Sequence, residues 1–350
     1  MKRLLFALLC LFSLTARASE PVATTADATE AEGFQPGEMI LHHIGDSHEW
    51  HWFSLGEDHY TTYLPVLAYR AGHGVSAFSS RELAEGKTYD GLKLEHEHLV
   101  SEDGAKVYDF SITKNVASLI LSAAVLLLVF TAVARGYAKR GTEAPRGIQS
   151  FFEPIIVFVR DEVAKKSIGP KYERYMPYLL TVFFFIWFNN LMGLMPGGAN
   201  LTGNIAVTMT LAIITLLITL FSSNKNYWAH IFATPGVPKA LLPIMIPVEL
   251  IGVFVKPFSL MVRLFANITA GHIVTLSFIA LIFIFRNIGV APVTLAFGLF
   301  IFFLELLVAI LQAYIFTLLT AMYIGGAVEE HHDADYQMGG GDGATPAQVH

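Results

Sequence analysis

This sequence predicts an all-α membrane protein with five transmembrane helices, the last two long and tilted as a hairpin. Three observations carry that expectation. Of 350 residues, 54% are hydrophobic and only 15% charged, too apolar and too sparsely charged for an ordinary soluble domain. From Val116 onward, apolar runs of spanning length follow one another with short polar breaks. The charges gather at the ends of these runs, except that Pro247–Val274 keeps several ionisable groups inside it and the last run keeps Glu305. An interfacial amphipathic helix and a small extracytoplasmic N-terminal region complete the expected architecture. The net charge of −6 gives no footing for nucleic acid as a partner. No Gly-rich phosphate loop followed by Lys and Ser/Thr occurs, so neither bond chemistry nor a cofactor is expected.

Met1–Ala18 has the form of a secretory signal: Lys2 and Arg3, an apolar run Leu4–Leu14, then Ala16-Arg17-Ala18. The run is too short to span a bilayer, and the alternative is an N-terminal anchor that stays on. Cys10 follows Leu9, a poor fit to a lipoprotein signal; with Cys10 removed, no cysteine is left for a disulfide. Residues 19–113 form a polar, His-rich region. Glu20–Glu32 is acidic and Ala/Thr-rich, with the composition of a disordered segment. Short β-like runs, Tyr60–Tyr69 among them, predict a small, partly ordered module. His48 and His51 with Asp46 and Glu49 resemble half of a metal cluster. No second pair follows at metal-site spacing, so a solvated His-rich surface is the favoured reading.

The membrane domain is expected over residues 114–327. Val116–Val133 is the first span, and Arg135, Lys139, Arg140 and Arg146 after it mark its exit as cytoplasmic. The mature N-terminus therefore lies outside. Ile148–Val163 is amphipathic and ends among Asp161, Glu162, Lys165 and Lys166, a segment suited to the inner surface. Tyr178–Leu194 and Asn204–Phe221 are the second and third spans, a hairpin with a small external turn, followed by Lys225 and Lys239. Asn200-Leu201-Thr202 matches a glycosylation pattern to which no meaning attaches. Pro243–Phe285 is the fourth membrane element and ends before Arg286, Asn287 and Gly289; Val293–Ile324 is the fifth. Both exceed the ~20 residues a perpendicular span needs, hence the expected tilt. Five crossings leave the C-terminus inside. Residues 328–350, with His331-His332 and Gly339–Gly341, compose a polar, disordered tail.

Within the fourth element the polar groups are ordered. At about 100° per residue, Glu249, Lys256, Ser259, Arg263 and Asn267 fall into one stripe that climbs ~27 Å. His272 falls on the far side of an ideal helix, so either the helix twists there or His272 serves a separate cavity. Pro247 and Pro257 allow the first reading. Lys256 can snorkel to the inner surface and do nothing else, and Ser259 or Asn267 can be satisfied by a neighbouring helix. Arg263 lies far from either end, where a charge costs roughly 2.5–3.5 kcal/mol on insertion scales, and a functional role is the better reading. In the fifth element Glu305 and Gln312 are seven residues apart and share a face. Gln312 has both donors and acceptors to hold an arginine. A carboxyl group in an oily helix needs a partner, and histidine exchanges protons near neutral pH. A purely structural His272–Glu305 contact is the competing account.

SLMVRLFANITAGHIV at Ser259–Val274 resembles the signature of subunit a of the F-type (rotary) ATP synthase. FLELLVAILQAYIFTLLTAMYI at Phe303–Ile324 is similar to the family's last membrane helix, and FNNLMGLMP at Phe188–Pro196 to a third segment. The resemblance covers about Pro145 to Val328. His272 with Glu305 is similar to the mitochondrial pattern, and some bacterial relatives have an acidic residue where Gly193 stands. The resemblance implies a non-catalytic, proton-translocating stator subunit in a bacterial inner membrane. Its partners would be a ring of c subunits, the b subunits of the peripheral stalk and the rest of the complex. Arg263 would face the ring. Asn267, His272, Glu305 and Gln312 would line the external half-channel, with Glu249 and Ser259 lining the internal one. A stand-alone secondary ion transporter or antiporter is the alternative, but no internal repeat supports it. A membrane scaffold carrying a metal-binding outer module is a third.

Overall fold

A computed structural model describes residues 45–55, 58–95, 98–141, 143–195, 197–232, 241–285 and 291–329. The expected signal, the acidic segment after it, Lys239, the Arg286–Gly289 turn and the C-terminal tail lie outside the described residues. Two parts are seen: a small β-rich module and a helical body.

The module has seven strands in three antiparallel sheets among the described residues. Strand β1 (Glu49–Leu55) pairs with β2 (Asp58–Tyr63). Strand β3 (Pro65–Arg70) lies between β4 (Gly74–Ser79) and β7 (Val107–Asp109). Strands β5 (Leu92–Glu95) and β6 (His98–Ser101) form the third pair. In β3 alternate residues are buried, as a strand with one wet face requires: Val66 and Ala68 enter a core with Leu83, Leu92 and Leu99. The run Tyr60–Tyr69 is thus two strands in different sheets. Leu64 divides them: its N–H goes to the Ser80 hydroxyl and its carbonyl accepts from the Ser80 N–H.

Helix α1 spans Lys114–Arg140. The Thr113 hydroxyl caps it by accepting from the Val116 N–H, and Gly141 ends it. The module is tied to this helix start: Asp46 accepts from the Thr113 hydroxyl at 3.0 Å and the Asn115 N–H at 3.1 Å. The Lys114 N–H donates to the Ser47 carbonyl. Helix α2 (Ile148–Phe158) runs into a π-helical turn, Val159–Ala164, and a short turn, Lys165–Ile168. The expected interfacial helix therefore changes pitch at the cluster Arg160, Asp161 and Glu162. Its apolar side is used inward, since Phe152, Val159, Val163 and Ala164 are buried. Helix α3 is Tyr172–Gly193, α4 Ile205–Ser222 and α5 Lys225–Phe232.

Helices α6 (Leu242–Phe285) and α7 (Ala291–Val328) are each about twice the length of a perpendicular span. They pack on each other; α7 also packs on α3, and α6 on α4. Pro247 and Pro257 are accommodated inside α6 without dividing it. One core joins Phe183, Phe184 and Ile186 of α3 to Leu260 and Leu264 of α6 and Phe316 of α7. A second packs Tyr175 and Leu179 against Ala321 and Ile324 at the α7 end. Among the described residues, five helical stretches are long and apolar enough to cross a membrane, the second running from Ile148 to Gly193 through the pitch change. Phe254, Phe258, Phe300 and Phe303 are exposed, as in helices whose outer face meets lipid or another chain.

Candidate functional site: two polar spaces along one helix pair

Helices α6 and α7 enclose a cavity of about 240 Å³ with α3 and the loop that follows it. Asn267, Gly271 and His272 supply one wall, Glu305 and Ala309 the second, and Asn190, Gly193 and Asn200 the third. The helices approach closely here. A Cβ on Gly271 would stand 2.9 Å from Oε1 of Glu305, so glycine is what lets that carboxylate lie against α6. Glu305 is partly buried, its Oε1 without a hydrogen-bonding partner among the described atoms. The carboxyl group lines the cavity together with His272. The third wall is held by a relay of hydrogen bonds. Thr202 donates to Oδ1 of Asn190 at 2.7 Å, and Nδ2 of Asn190 donates to the Ala309 carbonyl at 3.1 Å.

Toward the other end of α6 lies a narrow pocket of about 20 Å³ lined by Thr215, Thr219, Tyr227, Lys256, Pro257 and Tyr323. Tyr178 and Thr215 share a hydrogen bond of 2.8 Å beside it. The Lys256 ammonium sits 5.8 Å from the centre of the Tyr323 ring. Burial, and then the nearby Glu249 carboxylate, hold the Tyr227 hydroxyl above its ordinary pKa.

Arg263 stands between the two spaces, about 10 Å along the helix from Lys256 and about 13 Å from His272. It lines neither of them, and it is partly exposed on a side of the helix where Lys256, Ala266 and Asn267 are exposed too. Of the expected site residues, Asn267, His272 and Glu305 come together in the wide cavity. Gln312 does not join them; it is buried at 3% exposure two turns further along α7. Ser259 lines neither space, and Glu249 lies near the narrow one through Tyr227. His272 lines the wide cavity together with Asn267 of the Arg263 stripe.

Sequence reasoning missed Asn190, Asn200, Tyr227 and Tyr323. Two adjacent asparagines inside the apolar run of α3 were a usable signal, since a buried amide there needs partners. Tyr323 gave none, being one aromatic among many. In the module, His48 corrects the expectation of a solvated His-rich surface: it is 3% exposed, with Nε2 2.8 Å from Oδ2 of Asp109. His51 is exposed and bonds to the Thr61 hydroxyl. No group of three metal-ligating side chains occurs among the described residues.

Fold and site together define a multi-pass membrane protein with polar spaces between two long, apolar helices. Residues 116–325 match the family described as ATP synthase A chain, and the chain belongs to that family. Residues 39–118 match a separate family, described as a domain of unknown function (DUF8433). ATP synthase subunit a of Chloroherpeton thalassium is 50% identical over 65% of this chain and 70% of its own length. ATP synthase subunit a 2 of Chlorobaculum tepidum is 40% identical over 93% of this chain and 85% of its own length. ATP synthase subunit a of Pelodictyon phaeoclathratiforme is 40% identical over 93% and 86%. An alignment that leaves out so little of the chain takes in the β-rich module.

Proposed function

We propose that this chain is the proton-channel stator subunit of an ATP synthase, in which Arg263 faces a ring of small c subunits between two offset access paths. The wide cavity, with Asn267, His272 and Glu305, is the external path, and Gln312 stands behind it. The narrow pocket with Glu249 and Ser259 beside it belongs to the internal one. The observation that supports this most is the position of Arg263: a guanidinium on the flank of an apolar helix, outside both spaces and between them. Its fixed positive charge favours the ionised form of a partner's carboxylate and opposes its protonation. A proton therefore enters on one side, rides the partner around, and leaves on the other.

Each charge that crosses contributes only ~2.3 kcal/mol per 100 mV, so several must be summed for one ATP, which suits a rotary device. The subunit performs no bond chemistry itself. In this reading it lies in a bacterial inner membrane, its signal removed, its N-terminus outside and its C-terminus inside. The b subunits of a peripheral stalk hold it against the ring. The test is proton flux in reconstituted vesicles. Flux is expected only when the chain is combined with a ring of small two-helix subunits that co-purify with it. Flux through the purified chain alone would mark an antiporter and overturn the proposal.

A further inference from the structure

The β-rich module is joined to the membrane body by more than the start of α1. The indole Nε1 of Trp50 donates to the carbonyl of Gly197 at 2.7 Å, across 147 residues. Trp50 is 2% exposed and stacked on Trp52, ring centres 4.5 Å apart. Gly197 has φ +73°, and a Cβ there would stand 2.5 Å from the Trp52 carbonyl oxygen, so the two backbones are in close contact. Gly197 belongs to the loop between α3 and α4. That loop carries Asn200, which lines the wide cavity with an Nδ2 that has no partner among the described atoms. Two residues on, Thr202 starts the relay through Asn190 to the Ala309 carbonyl, one turn of α7 beyond Glu305. The Trp50 bond and this relay are thus joined through the few loop residues from Gly197 to Thr202, which lead from the module to the cavity wall.

We infer that the module positions the external access path, with Trp50 as the positioning residue that fixes the α3–α4 loop over the cavity. This rests on the wide cavity being that path. A buried indole N–H seeks a polar partner, and here the partner is the loop itself. The bond holds a glycine-containing turn in one place and so sets the opening through which water reaches His272 and Glu305. The module's separate family match fits an attachment with its own task.

The test uses the assembled complex in vesicles and measures ATP synthesis driven by an imposed gradient as a function of pH on the module's side. Trp50→Phe keeps the ring and loses the donor; Trp50→Ala loses both. Thr62→Val serves as control, because it removes the Trp52 Nε1 bond at 3.0 Å within the module and leaves the Gly197 carbonyl untouched. With subunit amounts equal by immunoblot, Trp50→Ala is expected to lower the rate several-fold and move the pH of half-maximal rate. Trp50→Phe should do both to a lesser degree, and Thr62→Val neither. Where Trp50→Ala fails to assemble, Trp50→Phe decides. A wild-type rate and pH profile for Trp50→Phe, in complexes where Glu305→Gln blocks flux, overturns this inference alone. If Glu305→Gln leaves flux intact, the assignment of the cavity falls first and the inference with it.

Discussion

The two polar spaces along α6 and α7 differ twelvefold in size, about 240 Å³ against about 20 Å³, and also in chemistry. The wide one holds a histidine, a carboxyl group and three asparagines under a loop that the module touches. The narrow one is made of tyrosines, threonines and a lysine stem, with its carboxylate, Glu249, outside the lining. In the proposed function the wide space, with its titratable groups, would deliver protons through water, and the narrow one, lined by hydroxyls, would pass them along a few fixed contacts. Arg263 divides the two. The contrast teaches that length alone did not set the design of this helix pair: small residues open one end and aromatic ones close the other.

The largest expected effect concerns the wide side. Glu305→Gln removes its one carboxyl group, and proton-driven ATP synthesis in vesicles should fall on the order of a hundredfold, the scale of losing a proton-transfer group. Loss of only a few per cent would erase the distinction between the two spaces. Next comes Gly271→Ala, which keeps every titratable group but places a methyl where Glu305 now lies. The side chain can swing aside, so a drop of roughly several-fold is expected, with assembly unchanged on native gels. Lys256→Met should matter least to transport, within about twofold, because the lysine is exposed and, among the described residues, its ammonium meets only the face of the Tyr323 ring, 5.8 Å from its centre. A loss as large as that of Glu305→Gln would make Lys256 a proton carrier.

The smallest effect falls on stability alone. Burial would raise the Asp109 carboxyl, but hydrogen bonds from Ser111 and His48 outweigh it and hold the group below the usual carboxylate range. A folded value below the unfolded one gives stability that is present above about pH 3.9 and disappears as pH falls through the folded value. Thermal unfolding of the module, followed by Trp50 and Trp52 fluorescence in the intact chain, should therefore weaken at acid pH. Asp109→Asn should flatten that limb.

Much of the membrane body was legible in the sequence, because an apolar run of spanning length has few other uses. The stripe from Glu249 to Asn267 was legible for the same reason, since charge inside such a run stands out. The module was harder to read. His48 and Asp109 are 61 residues apart, and their half-buried pair joins the residue before β1 to the end of β7. Leu64 interrupts a β-like run through a bond to Ser80, which no local pattern announces. Asn200 looked like a chance glycosylation pattern; its side chain instead accepts from the Gly203 N–H and caps the turn over the cavity. For His48 and Leu64 the deciding partner lies in another element, where periodicity does not reach, and for Asn200 it is the local turn geometry.

The central claim is tested most directly at Arg263 itself. In vesicles carrying the complete complex, Arg263→Ala is expected to abolish ATP synthesis driven by a proton gradient while the subunits still assemble. Synthesis at the wild-type rate in that variant would contradict the account.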